Sequence, residues 1–172
     1  MQTESSLNEI KNETRCWVFG SSKPISAGDP QLTNRLNRFF TQWQSHGEAV
    51  SGRWRVLFDR FLVVLREPDG AEVSGCSIDS MVGEVKLMEK ELDTSLLDSS
   101  RIFYKAENGK VEVVNRLEFK ALAADGKINL DTEVYDTTLT LLSDLEVGIF
   151  SKPIRDSWHL RIFENAVKAV TA

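Results

Sequence analysis

Two short runs of this chain contain no charged residue and almost no polar atom. They are Cys16–Gly20 (CWVFG) and residues 61–65 (FLVVL). A strand that is apolar on both faces must be covered on both faces, which predicts central strands for these two. Residues 53–58 (RWRVLF) follow another rule. Trp54, Val56 and Phe58 fall on one face, and Arg53 and Arg55 on the other. That pattern predicts an edge strand with one wet face, guarded by charge. Asp59 and Arg60 are read as the turn into the next strand, with a single long strand over 53–66 as the alternative. Residues 101–106 (RIFYKA) form another amphipathic strand, and Asn108-Gly109 is a hairpin signal leading into 111–114.

Two helices fill the intervals. Asp29 followed by Pro30 predicts a helix start, with Asp as N-cap and Pro at the first helical position. Leu32, Leu36, Phe39, Phe40 and Trp43 then share one face. The predicted helix spans 29–46, with Gly47 at the position that commonly ends a helix. Pro68, Asp69 and Gly70 mark a turn. Ile78, Met81, Val82, Val85, Met88 and Leu92 give a second apolar face, for a helix over 77–92.

The order is βαββαβ. It predicts an α+β fold, the ferredoxin-like plait: an antiparallel sheet of order 4-1-3-2 with two helices on one face. The expected core includes Trp17, Phe19, Leu36, Phe40, Phe61, Val63, Ile78 and Val82. The expected organisation is a polar N-terminal tail at 1–14, an α+β core at 15–114 and a C-terminal helical and extended appendage at 115–172. Within the appendage, 115–125 and 139–147 read as helical and 132–136 as extended. Residues 151–161 read as irregular around Pro153, and 163–170 as a turn or two of helix.

Charge and cysteine content narrow the function classes. The 21 Lys and Arg are outnumbered by 26 Asp and Glu, for a net charge of −5. Nucleic-acid binders usually carry a basic balance, so no nucleic-acid partner is expected. No run is long and apolar enough for a membrane helix, and the N-terminus reads as neither signal nor transit peptide. A cytoplasmic setting with two free thiols, Cys16 and Cys76, follows as the expectation. With two histidines and no CxxC or HExxH spacing, neither a metal nor a cofactor is expected.

The segment Ser74-Gly75-Cys76-Ser77-Ile78-Asp79 carries the chemistry-bearing side chains. It stands with Trp17, with Phe39, Trp43, His46 and Gly47, with Arg60 and Phe61, and with the late Ser157-Trp158-His159. Together these residues resemble a family of small bacterial proteins of no assigned activity, often labelled ABC transporter ATPases. The resemblance covers about residues 15–163 and implies no established catalytic residue. The label can be tested on the residues. A P-loop needs GxxxxGK[ST], whose backbone N–H groups cradle phosphates. Lys110 and Lys127 each follow a glycine, but Tyr104 and Ala121 stand where the first glycine belongs. Val111 and Ile128 stand where Ser or Thr belongs. P-loop ATP hydrolysis is excluded.

Two functional readings remain. In one, the chain is a non-catalytic interaction or regulatory module with a protein or small-anion partner. In the other, a rim of the sheet hosts cysteine-dependent or anion-binding activity. A thiol among the free N–H groups of a helix start is favoured as thiolate. Cys76 would then act with His46 and Asp79 as catalytic residues. Gly75, Ser77, Arg53 and His159 would bind the ligand, and Arg15 would sit on the same rim. Against this, Ser74 or Ser77 can be the helix cap with Cys76 a small filler. His46 can be a helix-end imidazole, and Trp158 an apolar plug. The arginines of 53–66, Arg53, Arg55, Arg60 and Arg66, can bind an anionic ligand or be no more than guards of an edge strand.

Overall fold

The computed structural model describes residues 14–145 and 148–171. The polar stretch expected at 1–14 therefore lies outside the described residues except for Thr14. The chain is α+β, with antiparallel sheets, and divides into two compact units. The first comprises 14–97 with 138–144, the second 98–137 with 145 and 148–171. No helix among the described residues is long and apolar enough to cross a membrane.

In the first unit, β1 (Cys16–Gly20), β4 (Gly52–Leu57) and β5 (Phe61–Arg66) form an antiparallel sheet of order β1-β5-β4. Every residue of β5 is buried, as its apolar run requires of a central strand. Leu62 and Val64 pair with Phe19 and Trp17 on one side and with Val56 and Trp54 on the other. This face carries both helices, α1 (Pro30–Gln42) and α2 (Gly75–Glu91), through Leu32, Leu36, Met81, Val85 and Met88. Each such side chain contributes about 1.5–3 kcal/mol on burial. Asp29 caps α1 as expected: its Oδ1 accepts from Gln31 N at 2.8 Å, and Pro30 stands just inside.

Three expectations are corrected here. The first helix ends at Gln42, not His46. Trp43 is extended, and β2 (Gln44–Ser45) and β3 (Glu48–Ala49) form a small hairpin turning on His46 and Gly47. Both turn residues have positive φ, 53° and 84°, as a two-residue primed turn demands. Glycine was needed at 47, but for a hairpin rather than a helix end. The turn after β4 falls on Phe58 and Asp59, both at positive φ, so Phe58 leaves the strand and is exposed. Finally, the sheet order 4-1-3-2 is met only as 1-3-2. Among the described residues, beyond a single bridge between Arg15 and Leu141, β1 is an edge. An all-apolar run reports covered faces, and carries no information on whether both edges are paired. Of the expected core, Leu36, Phe61 and Val63 are buried; Trp17, Phe19, Phe40, Ile78 and Val82 are partly so.

The would-be fourth strand belongs to the second unit. There β6 (Ile102–Lys105) pairs with β7 (Val111–Val114) across the Asn108-Gly109 turn, and with β8 (Glu133–Tyr135). The latter pairs with β9 (Ser151–Pro153), giving the order β7-β6-β8-β9. Strands assigned by sequence to the 15–114 core thus fold with the C-terminal segment. Two helices, α3 (Arg116–Ala124) and α4 (Leu160–Thr171), pack on this unit's core of Ile102, Phe119, Ala123, Ile128, Val134, Ile154 and Ala166. The helix expected over 139–147 is only a 3-10 turn, Leu142–Leu145, with 146–147 outside the described residues.

Candidate functional site

The start of α2 is held by a reciprocal cap. Ser74 Oγ accepts from Ser77 N at 3.3 Å, and Ser77 Oγ accepts from Ser74 N at 2.8 Å. Ser77 also donates to the Ser74 carbonyl and is buried. Its hydroxyl is therefore spent on the fold rather than available to a ligand. Cys76 is the second helical residue, not the cap, and is exposed. Asp79 is exposed one turn further on. Beside them, a Cβ on Gly75 would meet nothing, so packing does not require glycine there.

The end of α1 lies beside this turn. Trp43 is buried, and its indole N–H donates to the Ser77 carbonyl at 2.8 Å. The β2–β3 hairpin packs against α2, with His46 exposed at its tip. No hydrogen bond or ion pair joins the His46 ring to Cys76 or Asp79. Arg53, expected to attract an anion, is ion-paired to Glu67 and largely exposed. Among the described residues, no three His, Cys, Asp or Glu side chains form a group that could hold a metal ion.

His159 belongs to the second unit and is 1% exposed there. Its ring stacks on Trp158 at 3.7 Å and lies against Phe119. Burial lowers its pKa to about 4; Lys152 adds to the shift and Asp136 opposes it, so the ring is neutral at pH 7. Ser157 Oγ donates to the Ile154 carbonyl at 3.0 Å and lies 3.3 Å from His159 Nδ1. The roles expected of the pair are reversed: Trp158 is 45% exposed and the histidine fills the core.

Sequence reasoning read Arg66 with the other arginines of 53–66, as an edge guard or a ligand for an anion, and not as a buried residue. Arg66 ends the central strand β5, and its side chain is only 10% exposed. Its Nη2 donates to the Gly70 carbonyl at 2.9 Å and to Glu72 at 2.8 Å, while its buried Nε has no hydrogen-bond partner. Gly70 itself approaches the backbone at Ser51 closely: a Cβ there would lie 2.2 Å from Ser51 N. A charged residue closing an otherwise apolar central strand was the available signal. Arg66 and Arg15 line one cavity of about 480 Å³ together with Glu72, Val73, Thr140 and Leu141. A cleft of the second unit, about 850 Å³, has its lysines already paired, Lys105 with Glu133 and Lys127 with Asp125.

Comparison with protein-family models, with curated proteins and with solved structures finds no match.

Proposed function

We propose that the chain is a non-catalytic interaction or regulatory module whose contact point is the β4–β5 hairpin tip. The observation that carries this reading is the backbone at Phe58 and Asp59. Both residues are held at positive φ, 53° and 51°, with the Phe58 ring 57% exposed. Neither is glycine, and the left-handed region costs an L-residue roughly 1–2 kcal/mol. An exposed aromatic kept at such a cost, on a turn where Asn-Gly would be strain-free, is the mark of a surface selected for contact. The fold reading that goes with it is a plait left open at β1. The kinship with small bacterial proteins and the cytoplasmic setting, free of nucleic acid, belong to the same proposal.

The test places a photo-crosslinking phenylalanine analogue at position 58 in the producing cells. A discrete protein adduct is expected there, and none with the analogue at Leu87, which is also exposed. Equal yields at the two positions would sink the reading.

A second reading keeps cysteine chemistry at the Cys76 and His46 rim. What favours it is the exposed thiol in the first turn of α2, beside the hairpin that carries His46. Its measurable consequence is thiol reactivity that persists at low pH.

A further inference from the structure

A guanidinium nitrogen that is buried and unbonded forfeits the solvation it had in water, so Arg66 Nε needs an explanation. Its surroundings offer one. Arg15 lines the same cavity; its guanidinium lies 5.0 Å from the Trp17 ring and forms no ion pair among the described residues. Thr140, an exposed residue whose carbonyl accepts from Cys16 N, adds a hydroxyl with no hydrogen-bond partner among the described residues. Against these two cations stands one carboxylate, Glu72, which is 85% exposed and held by Arg66. The cavity keeps one surplus positive charge on a chain whose net charge is −5.

We propose that this cavity binds a small oxyanion, the phosphate or carboxylate group of a small molecule, between Arg15 and Arg66, with Glu72 as the internal anion it displaces. Guanidinium is suited to this chemistry because its planar donors match two oxygens of one anion, and charge-assisted bonds are the stronger ones. Glu72 occupies Arg66 when no ligand is present, which limits the cost of a buried cation. Its exposed carboxylate can swing into water without loss of hydration. A volume of about 480 Å³ exceeds that of a bare inorganic anion, and lies in the range of small-molecule sites. Val73 and Leu141 supply apolar wall for the rest of the ligand. The inference goes beyond the module reading, since it uses neither Phe58 nor the crosslinking result.

The experiment titrates the full chain with inorganic phosphate and, separately, with malonate. Ionic strength is held constant with chloride because exposed charge pairs are screened. Heat and tryptophan fluorescence are the readouts. Saturable binding of at least one probe is expected. Arg15→Gln should weaken it about tenfold or more, the loss of one charge-assisted contact. Glu72→Gln should tighten it, because the competing carboxylate is gone. That variant separates the proposal from a merely structural role for Glu72, which would leave affinity unchanged or lower it. Arg66→Gln should abolish binding. Should it fail to fold, the Arg15 and Glu72 variants decide the matter alone. Phosphate binding without malonate binding assigns a phosphoryl ligand, the reverse a carboxylate, and both a general oxyanion site. Absence of saturable binding of either probe by the folded wild type overturns the proposal. So does binding that ignores both Arg15→Gln and Glu72→Gln. The crosslink at position 58 would be untouched by that failure.

Discussion

Cys16 and Cys76 carry the same side chain in opposite circumstances. Cys16 is fully buried in β1, and its thiol is pushed up to about 11 by that burial, with Asp144 adding to the shift and Arg55 opposing it. Cys76 is exposed on the first turn of α2. A maleimide at pH 7 should therefore modify the folded chain once, at Cys76. Mass spectrometry of Cys76→Ser should show no label until denaturant is added; a label on that folded variant would place Cys16 at the surface. The same reagent weighs the second functional reading. A Cys76 rate that falls tenfold for each unit of pH below neutrality is that of an ordinary thiol, and would remove the case for chemistry at the rim. The burial of Cys16 was legible from its place in an apolar run. The burial of His159 was not, because Ser157-Trp158-His159 offers no period by itself. The signal lay downstream: His159, just before α4, falls at helical spacing with Phe163 and Ala166, which pack into the core of this unit.

Turns show how an element can be misassigned while its residue is understood. Glycine at 47 had to adopt positive φ under either reading, helix end or hairpin tip. The choice depended on whether 44–45 and 48–49 pair, which no local pattern announces. Likewise, alternation identified β4 as an amphipathic edge strand and uniform apolarity identified β5 as central. Neither pattern could say which sheet takes Ile102–Lys105. That strand is amphipathic wherever it goes, and its partner β8 lies beyond the segment over which a plait was being read. The Phe58 and Asp59 turn was displaced by one residue because Phe58 continues the alternation in sequence while its backbone has already turned. Replacing Phe58 and Asp59 with Asn and Gly should relieve roughly 1 kcal/mol at each position. It should also forfeit the edge-to-face contact of Phe58 with Phe61, worth about 0.5–1.5 kcal/mol. The expected net gain is about 1 kcal/mol, a rise in Tm of about 2–4 °C. A fall in Tm would mean that the turn is relaxed as it stands, and would remove the strain on which the module reading rests.

Acid should act unevenly over the whole molecule, because the buried titratable imidazole belongs to the second unit. His159 has a folded pKa of about 4, set chiefly by burial, against about 6.5 in an unfolded chain. Since the folded pKa is the lower, the unfolded chain binds the extra proton between these values. The stability this neutral ring carries is therefore complete above pH 6.5 and declines as pH falls, by up to about 3 kcal/mol near pH 4. Two carboxylates of the same unit follow in a lower window. The Ser151 hydroxyl and Lys105 hold Glu133 below the usual carboxylate range, and hydrogen bonds from Ser100, with Arg101 nearby, do the same for Asp98. Their contribution is present above the unfolded carboxylate pKa and is lost as pH drops through the folded one. In the first unit, Glu91 and Asp93 are held low by Arg35 and Lys23, but these pairs are solvent-screened and contribute little. Amide protection factors measured from pH 7 down to 4.5 should therefore fall earlier in 98–137 and 148–171 than in 14–97. His159→Phe, which keeps an apolar ring in the pocket and cannot titrate, should flatten that early fall. It should leave the carboxylate-driven loss below about pH 4.5 in place. If protection in the second unit of the wild type holds steady from pH 6.5 to 4.5, the ring reaches water, and the burial assigned to His159 is wrong.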